Sequence, residues 1–137
     1  MPPLPQPGPN PAKAALGDDM AAIDTTVLDH LIDMIGPAAT PEFIMRLLAD
    51  LRRADAGISV AQQSGDPEGL RRHSHVLIGL AGAVGAVRLV PLAQHLNRTA
   101  GADAGAGTAA LVAAAREQIA LLIAGVMARN PAAAFLP

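Results

Sequence analysis

Apolar side chains recur along this chain at intervals of three and four residues, which is the period of one face of an α-helix. The periodic stretches are separated by helix-stop and helix-start residues, chiefly glycine, proline, aspartate and threonine. No stretch alternates apolar and polar residues in the way a half-buried strand does. The pattern predicts five helices, at about residues 24–35, 40–63, 66–85, 86–99 and 108–130.

Capping residues mark several of the predicted ends. Thr40, Asp66 and Thr108 each stand where a side-chain oxygen can accept a hydrogen bond from the first turn of a helix. Proline follows the first two, in the position where its missing N–H costs nothing. Gly57 lies inside the second helix, and we expect it to bend that helix or to end it early.

The fold class follows from these helices. Four long segments can form an antiparallel up-and-down four-helix bundle, and the short first helix, with Val27 facing inward, can pack across one end. We therefore expect an all-α bundle within residues 20–130. Residues 1–19 contain six prolines and are predicted to be a disordered tail, and residues 131–137 a C-terminal tail.

Composition narrows the possible functions. The chain has 137 residues, of which 51% are hydrophobic but only two are aromatic, and this mixture favours helices over sheets. A net charge of −2 provides no basic field for nucleic acid. Without cysteine, a secretory signal or about 18 uninterrupted apolar residues, the chain is expected to be cytoplasmic, with no membrane partner.

The third predicted helix carries the candidate chemistry. At 100° per residue, its apolar stripe consists of Leu70, His73, Leu77, Leu80, Ala81 and Val84. His75 lies roughly 170° from the middle of that stripe. It shares the opposite face with Glu68, Arg71, Arg72, Gly79 and Gly82. His75 is therefore predicted to face water.

The neighbours of His75 suggest a use for it. Glycine inside a helix costs about 1 kcal/mol of stability relative to alanine. Gly79 and Gly82 therefore destabilise the predicted helix, but they leave space beside the imidazole. Helical side chains lean toward the N-terminus, so His75 should project over Arg71 and Arg72. A neutral imidazole beside two cations is an environment suited to a transient phosphoryl group.

At these residues the chain resembles a known family. The run His75-Val76-Leu77-Ile78-Gly79, followed by Gly85-Ala86 and then by Leu89, Leu92 and Leu96, is similar to the signature of histidine-containing phosphotransfer (HPt) domains. The similarity extends more loosely over about residues 23–129. It implies a four-helix bundle whose exposed histidine relays phosphoryl groups to and from aspartates of receiver domains. The family's usual lysine, three residues after the histidine, is Ile78 here.

The resemblance leads to specific expectations for the site. His75 is the expected phosphoryl acceptor, Arg71 the first candidate to neutralise the phosphoryl charge in place of the lysine, and Arg72 the second. Partner binding is expected at Glu68, Ile78, Gly79 and Gly82. The expected partners are a response-regulator receiver domain, a hybrid histidine kinase or both, and the chain itself is expected to be a monomer.

Cofactors are not expected in the chain itself. Magnesium should come from the receiver domain, because no acidic cluster here could hold it. A metal or haem site is disfavoured because His73 and His75 diverge by about 200° on a helix. No ATP-binding motif is present, so autonomous kinase activity is not expected.

Two alternatives stay open. One is a binding module of the same fold that docks a receiver domain or kinase without accepting phosphate, which the loss of the lysine favours. The other is a helical bundle that only dimerises.

Overall fold

Five helices make up the described part of the chain. The computed structural model describes residues 25–100 and 106–129, and in these ranges the fold is all-helical, without strands. The predicted tails at 1–19 and 131–137 lie outside the described residues. The helices are α1 Thr25–Ile35, α2 Thr40–Gln63, α3 Pro67–Val84, α4 Leu89–Thr99 and α5 Ala106–Met127.

The start and end of α3 are fixed by local chemistry that the sequence predicts. The Asp66 carboxylate accepts a hydrogen bond from the backbone N–H of Gly69 at 3.0 Å, and Pro67 occupies the first turn. Gly85 follows the last turn with a φ of 77°, a left-handed conformation that glycine adopts without steric cost. The helix that carries His75 therefore begins and ends as predicted.

One predicted cap and two predicted helix starts are wrong, although α2 begins at Thr40 as predicted. The Thr40 hydroxyl donates to the carbonyl oxygen of Gly36 at 2.7 Å, so it holds the preceding turn instead of capping α2. α5 begins at Ala106, which places Thr108 inside its first turn, where it is buried. α4 begins at Leu89 and not at Ala86, because the intervening residues form a turn in which the Leu89 N–H donates to the Ala86 carbonyl.

All five helices contribute to one core. α2 packs against α3 and α5, α4 packs against the same two helices, and α1 contacts α3. Each helix contributes side chains that are fully enclosed, chiefly Leu28, Ile44, Leu51, Ile58, Leu77, Leu89, Leu96, Ile119 and Leu122. Val27 was predicted to face inward but is 37% exposed, because Leu28 takes the inward position in α1.

Helix α5 is the most apolar part of the described chain. Within residues 107–127, an 18-residue window has a mean hydropathy of 1.6, and the helix is long and apolar enough to cross a membrane by length and composition alone. One side of the helix nevertheless packs into the core through Ala115, Ile119, Leu122 and Val126. Arg116 binds both carboxylate oxygens of Asp55 in α2, at 2.8 and 3.2 Å. Hydrogen bonding to Asp55, and then its charge, raise the pKa of Arg116 above its usual value.

Candidate functional site

His75 lies near the middle of α3 and is exposed, as the helical pattern predicts. The inward side of α3 is formed by Leu70, Ser74, Leu77, Ala81 and Val84. Helical geometry places His75 roughly 140° from the middle of that stripe. The imidazole is therefore presented to solvent by a helix whose opposite side is anchored in the core.

A surface depression surrounds the imidazole. Its volume is about 420 Å³, and it is lined by Glu68, Arg71, Arg72, His75, Val76 and Asn97. The structure thus brings together four residues that the sequence predicts for the site: the histidine, both arginines and the glutamate. A phosphoryl group attached to His75 would lie beside two guanidinium groups, whose planar donors suit phosphate oxygens.

The two arginines differ in their surroundings. The Arg71 guanidinium makes a short hydrogen bond and ion pair with the Glu68 carboxylate, three residues earlier on the same helix. Arg72 makes no ion pair or hydrogen bond with any residue in the described ranges. The Arg71 guanidinium thus already has an anionic partner. The Arg72 guanidinium has none among the described residues, so it can bind an incoming anion without breaking an existing contact.

Beyond His75, the outer face of α3 is small and uncharged. A Cβ atom built on Gly79 or Gly82 would meet no atom within 4 Å, so neither glycine makes room for a neighbour in the fold. The exposed residues beside them are Val76 and Ala83. Ile78, predicted to belong to this surface, is half-buried and packs against the core. The outer face is therefore formed by the glycines, Ala83 and Val76.

Ser74 and Asn97 form a polar contact that sequence reasoning missed. Ser74 is completely buried, and its hydroxyl donates to the Arg71 carbonyl at 3.0 Å. The Asn97 side chain, in α4, donates to the same carbonyl at 3.0 Å and to the Ser74 hydroxyl at 3.2 Å. In an α-helix this carbonyl also accepts the N–H of the residue four positions on, which is His75. α4 is thus tied to α3 directly below the candidate site.

A signal for this contact was present in the sequence. Ser74 falls in the same register as Leu70, Leu77 and Ala81, and a polar side chain in an apolar stripe requires a hydrogen-bonding partner. The identity of that partner could not be deduced, because Asn97 is 23 residues away on another helix.

His73 occupies a different side of α3. It was predicted to be a partly buried residue on the core-side stripe, and it is half-buried, while Ser74 takes the more central place. A Cβ on Gly57 would come within 2.4 to 2.5 Å of three atoms of the His73 ring. α2 continues past Gly57 to Gln63, so the expected early end at this glycine is wrong. Gly57 instead leaves a niche in which the His73 imidazole packs.

The remaining histidines do not join the site. His30 and His95 are exposed on α1 and α4 and do not line the depression. In residues 25–100 and 106–129, no three His, Asp or Glu side chains are grouped so that they could hold a metal ion. The site geometry thus consists of one exposed imidazole, two guanidinium groups, one carboxylate and one amide.

Comparison of the chain with protein-family models, with curated proteins and with solved structures found no match.

Proposed function

We propose that the chain is a phosphorelay intermediate of two-component signalling, in which His75 accepts a phosphoryl group from a receiver-domain phospho-aspartate and passes it to another receiver aspartate. A hybrid histidine kinase is the other candidate donor. The sequence similarity of residues 75–96 to HPt domains suggests this function. The observation that carries it is the exposure of His75 in a depression lined by Arg71 and Arg72.

The chemistry requires little from this chain beyond position and charge. A neutral imidazole nitrogen of His75 attacks the phosphorus of the acyl phosphate, so an N–P bond forms as the P–O bond to the aspartate breaks. The aspartate leaves as a carboxylate, and the imidazole loses a proton to solvent. The transferring group carries negative charge on its oxygens, so nearby cations stabilise it in transit.

Reversal of the same step delivers the phosphoryl group to a second receiver domain. A phosphohistidine on an exposed helix face can be attacked by a carboxylate of another protein without any opening of the fold. Magnesium, expected from the receiver domain, would neutralise charge from the partner's side. We propose no other cofactor for the chain.

The proposed function includes a finer description of the fold. α2, α3, α4 and α5 would form an antiparallel up-and-down four-helix bundle, with α1 across one end. The contacts of α2 and α4 with both α3 and α5 support this arrangement. We further propose a cytoplasmic monomer whose partners are receiver domains and kinases rather than nucleic acid or membrane.

The alternative is a binding module that docks a receiver domain without being phosphorylated. Two observations favour it: Ile78 stands where the resemblance implies a lysine, and Arg71 is already paired with Glu68. Under this alternative the glycine face of α3 would still contact the partner. Only the chemistry at His75 would be missing.

Transfer of phosphate distinguishes the two functions. Receiver domains of the source organism are phosphorylated with radiolabelled phosphate, freed of the small-molecule donor and mixed with the chain in the presence of Mg²⁺. We expect acid-labile, alkali-stable phosphate on the wild type and none on His75→Ala. His95→Ala is the matched control, because it removes an exposed histidine from α4 and should accept phosphate like the wild type.

Two results would contradict the proposal. One is equal labelling of wild type and His75→Ala. The other is the absence of label on the wild type with every receiver tested, and stable receiver binding in that case would establish the binding module.

A further inference from the structure

The Glu68–Arg71 ion pair gives the His75 depression a carboxylate that the proposed reaction does not require. Both side chains line the depression, and both are solvent-exposed, Arg71 at 45% and Glu68 at 77%. Such a pair is weak, because water and salt screen it and two flexible side chains must be ordered to form it. It is therefore a contact that an incoming anion can replace.

Arg71 then has two possible partners. In the resting protein its guanidinium is held by Glu68, and in the phosphorylated protein it would be drawn to the phosphoryl oxygens on His75. A phosphoryl group carries up to two negative charges and three acceptor oxygens, so it competes well with one carboxylate. Arg72, which has no competing carboxylate among the described residues, is available to the phosphoryl group in both states.

We propose that Glu68 is a positioning residue that acts through Arg71 and lowers the stability of the phosphorylated state of His75. This inference rests on the proposed function. Phosphorylation must release Arg71 from Glu68, and the free energy of that release is subtracted from the stabilisation of the phosphoryl group. The carboxylate therefore keeps the phosphohistidine easier to give up, which suits an intermediate that must pass the group onward.

The chain offers a closely matched control. Glu42 follows Pro41 in the first turn of α2, just as Glu68 follows Pro67 in the first turn of α3. Each glutamate pairs with an arginine on its own helix, Glu42 with Arg46, and each is largely exposed. Glu42 does not line the His75 depression. Glu42→Gln thus removes the same charge from the same kind of helix position, away from the candidate site.

The experiment measures the equilibrium fraction of phosphorylated chain after exchange with a phosphorylated receiver domain. Wild type, Glu68→Gln, Arg71→Ala, the double variant and Glu42→Gln are compared at equal concentrations. From the strength of exposed ion pairs, we expect the phosphorylated-to-free ratio to rise about two- to fivefold in Glu68→Gln. The rise should shrink toward unity at about 1 M salt, where the screening length is about 3 Å.

Arg71→Ala provides the test of mechanism. If Glu68 acts through Arg71, then Glu68→Gln has no further effect when Arg71 is absent, and the two substitutions are not additive. Glu42→Gln should leave the ratio at the wild-type value. Unchanged unfolding midpoints would show that the differences do not come from loss of fold.

The outcomes separate this inference from the function on which it rests. A wild type that accepts phosphate, with Glu68→Gln equal to it or lower, overturns the role of Glu68 and leaves the proposed function standing. A rise that persists in full without Arg71 also overturns it, because Glu68 would then act directly. Absence of phosphate from every variant, wild type included, overturns both.

Discussion

The outer faces of α2 and α3 are built differently, although both helices cross the same core. On α2 the exposed side carries charged residues that pair with one another or with α5: Glu42 with Arg46, Asp50 with Arg53 and Asp55 with Arg116. On α3 the exposed residues after His75 are Val76, Gly79, Gly82 and Ala83. The outer face of α2 therefore carries several ion pairs, although Met45 and Val60 are also exposed there, whereas the outer face of α3 lacks charge for two turns.

The difference indicates a use for the α3 face beyond stability. Glycine in a helix interior costs about 1 kcal/mol, and nothing in the described structure approaches the open side of Gly79 or Gly82. By contrast, packing within the fold explains Gly57 in α2, because a side chain there would collide with the His73 ring. Under the proposed function, Gly79 and Gly82 would let a receiver domain come close to the backbone of α3 beside His75.

The largest expected effect comes from filling the α3 face. Gly79→Leu should reduce phosphoryl transfer from a receiver domain about 30-fold, because a side chain projecting from the centre of an interface can cost 2 kcal/mol or more. The fold should remain, since the added atoms project into open space. The measurement is the initial rate of transfer at limiting receiver concentration, with helicity followed by circular dichroism.

Ala49→Leu is the matched variant on α2. Ala49 is exposed, so the substitution adds similar bulk to the charged face. Transfer should stay near the wild-type rate. Equal losses in the two variants would show that the α3 face has no special role in docking.

A smaller effect is expected from the cations on the His75 side. Arg71→Ala and Arg72→Ala should each slow phosphoryl acceptance, by about tenfold for the more important of the two, because each removes a charge-assisted contact to the phosphoryl group. Arg53→Ala on α2 removes an arginine that is paired with Asp50 and outside the depression. Acceptance by Arg53→Ala should match the wild type, and rates unaffected by all three substitutions would remove the arginines from the mechanism.

The smallest effect concerns the glycines themselves. Gly82→Ala should raise the free energy of unfolding by about 0.5–1 kcal/mol, because alanine favours the helix and its methyl group meets nothing. Gly57→Ala should bring no such gain, since its methyl group would displace the His73 ring. Urea unfolding measures both, and the gain should appear at Gly57 once His73→Ala is added. If Gly57→Ala gained as much stability as Gly82→Ala while His73 was intact, this would contradict the packing of the His73 ring against Gly57.

Much of the helical fold could be predicted from the sequence. The Asp66 cap with Pro67 and the Gly85 stop are local signals, and they locate α3 closely. Thr40 and Thr108 carry the same kind of signal, but the Thr40 hydroxyl binds the carbonyl of the preceding turn, and Thr108 lies inside the first turn of α5. Caps thus predict that a helix starts nearby more reliably than they predict its first residue.

The sequence predicts which residues form the candidate site, but it does not predict the contacts between them. The helical period alone places His75 with Arg71, Arg72 and Glu68 on the outer side of α3. The inward stripe of α3 is nevertheless rotated by roughly 30° from the predicted one, toward Ser74. Hydrogen bonds from Asn97 stabilise that rotation. Asn97 is too far from Ser74 along the chain for a local sequence pattern to predict the contact. The sequence also does not show that Arg71 is paired with Glu68, because that contact depends on the geometry of the two side chains.

The identity of the histidine that carries the phosphoryl group tests the proposed function most directly. After exchange with a phosphorylated receiver domain, the chain is digested under neutral conditions and its peptides are mapped by mass spectrometry. The expected result is one phosphate per chain, on the peptide containing His75, at the ring of His75 and not of His73. Phosphate on His30, His73 or His95 instead, or an unmodified chain after exchange with every receiver domain of the source organism, would contradict the account.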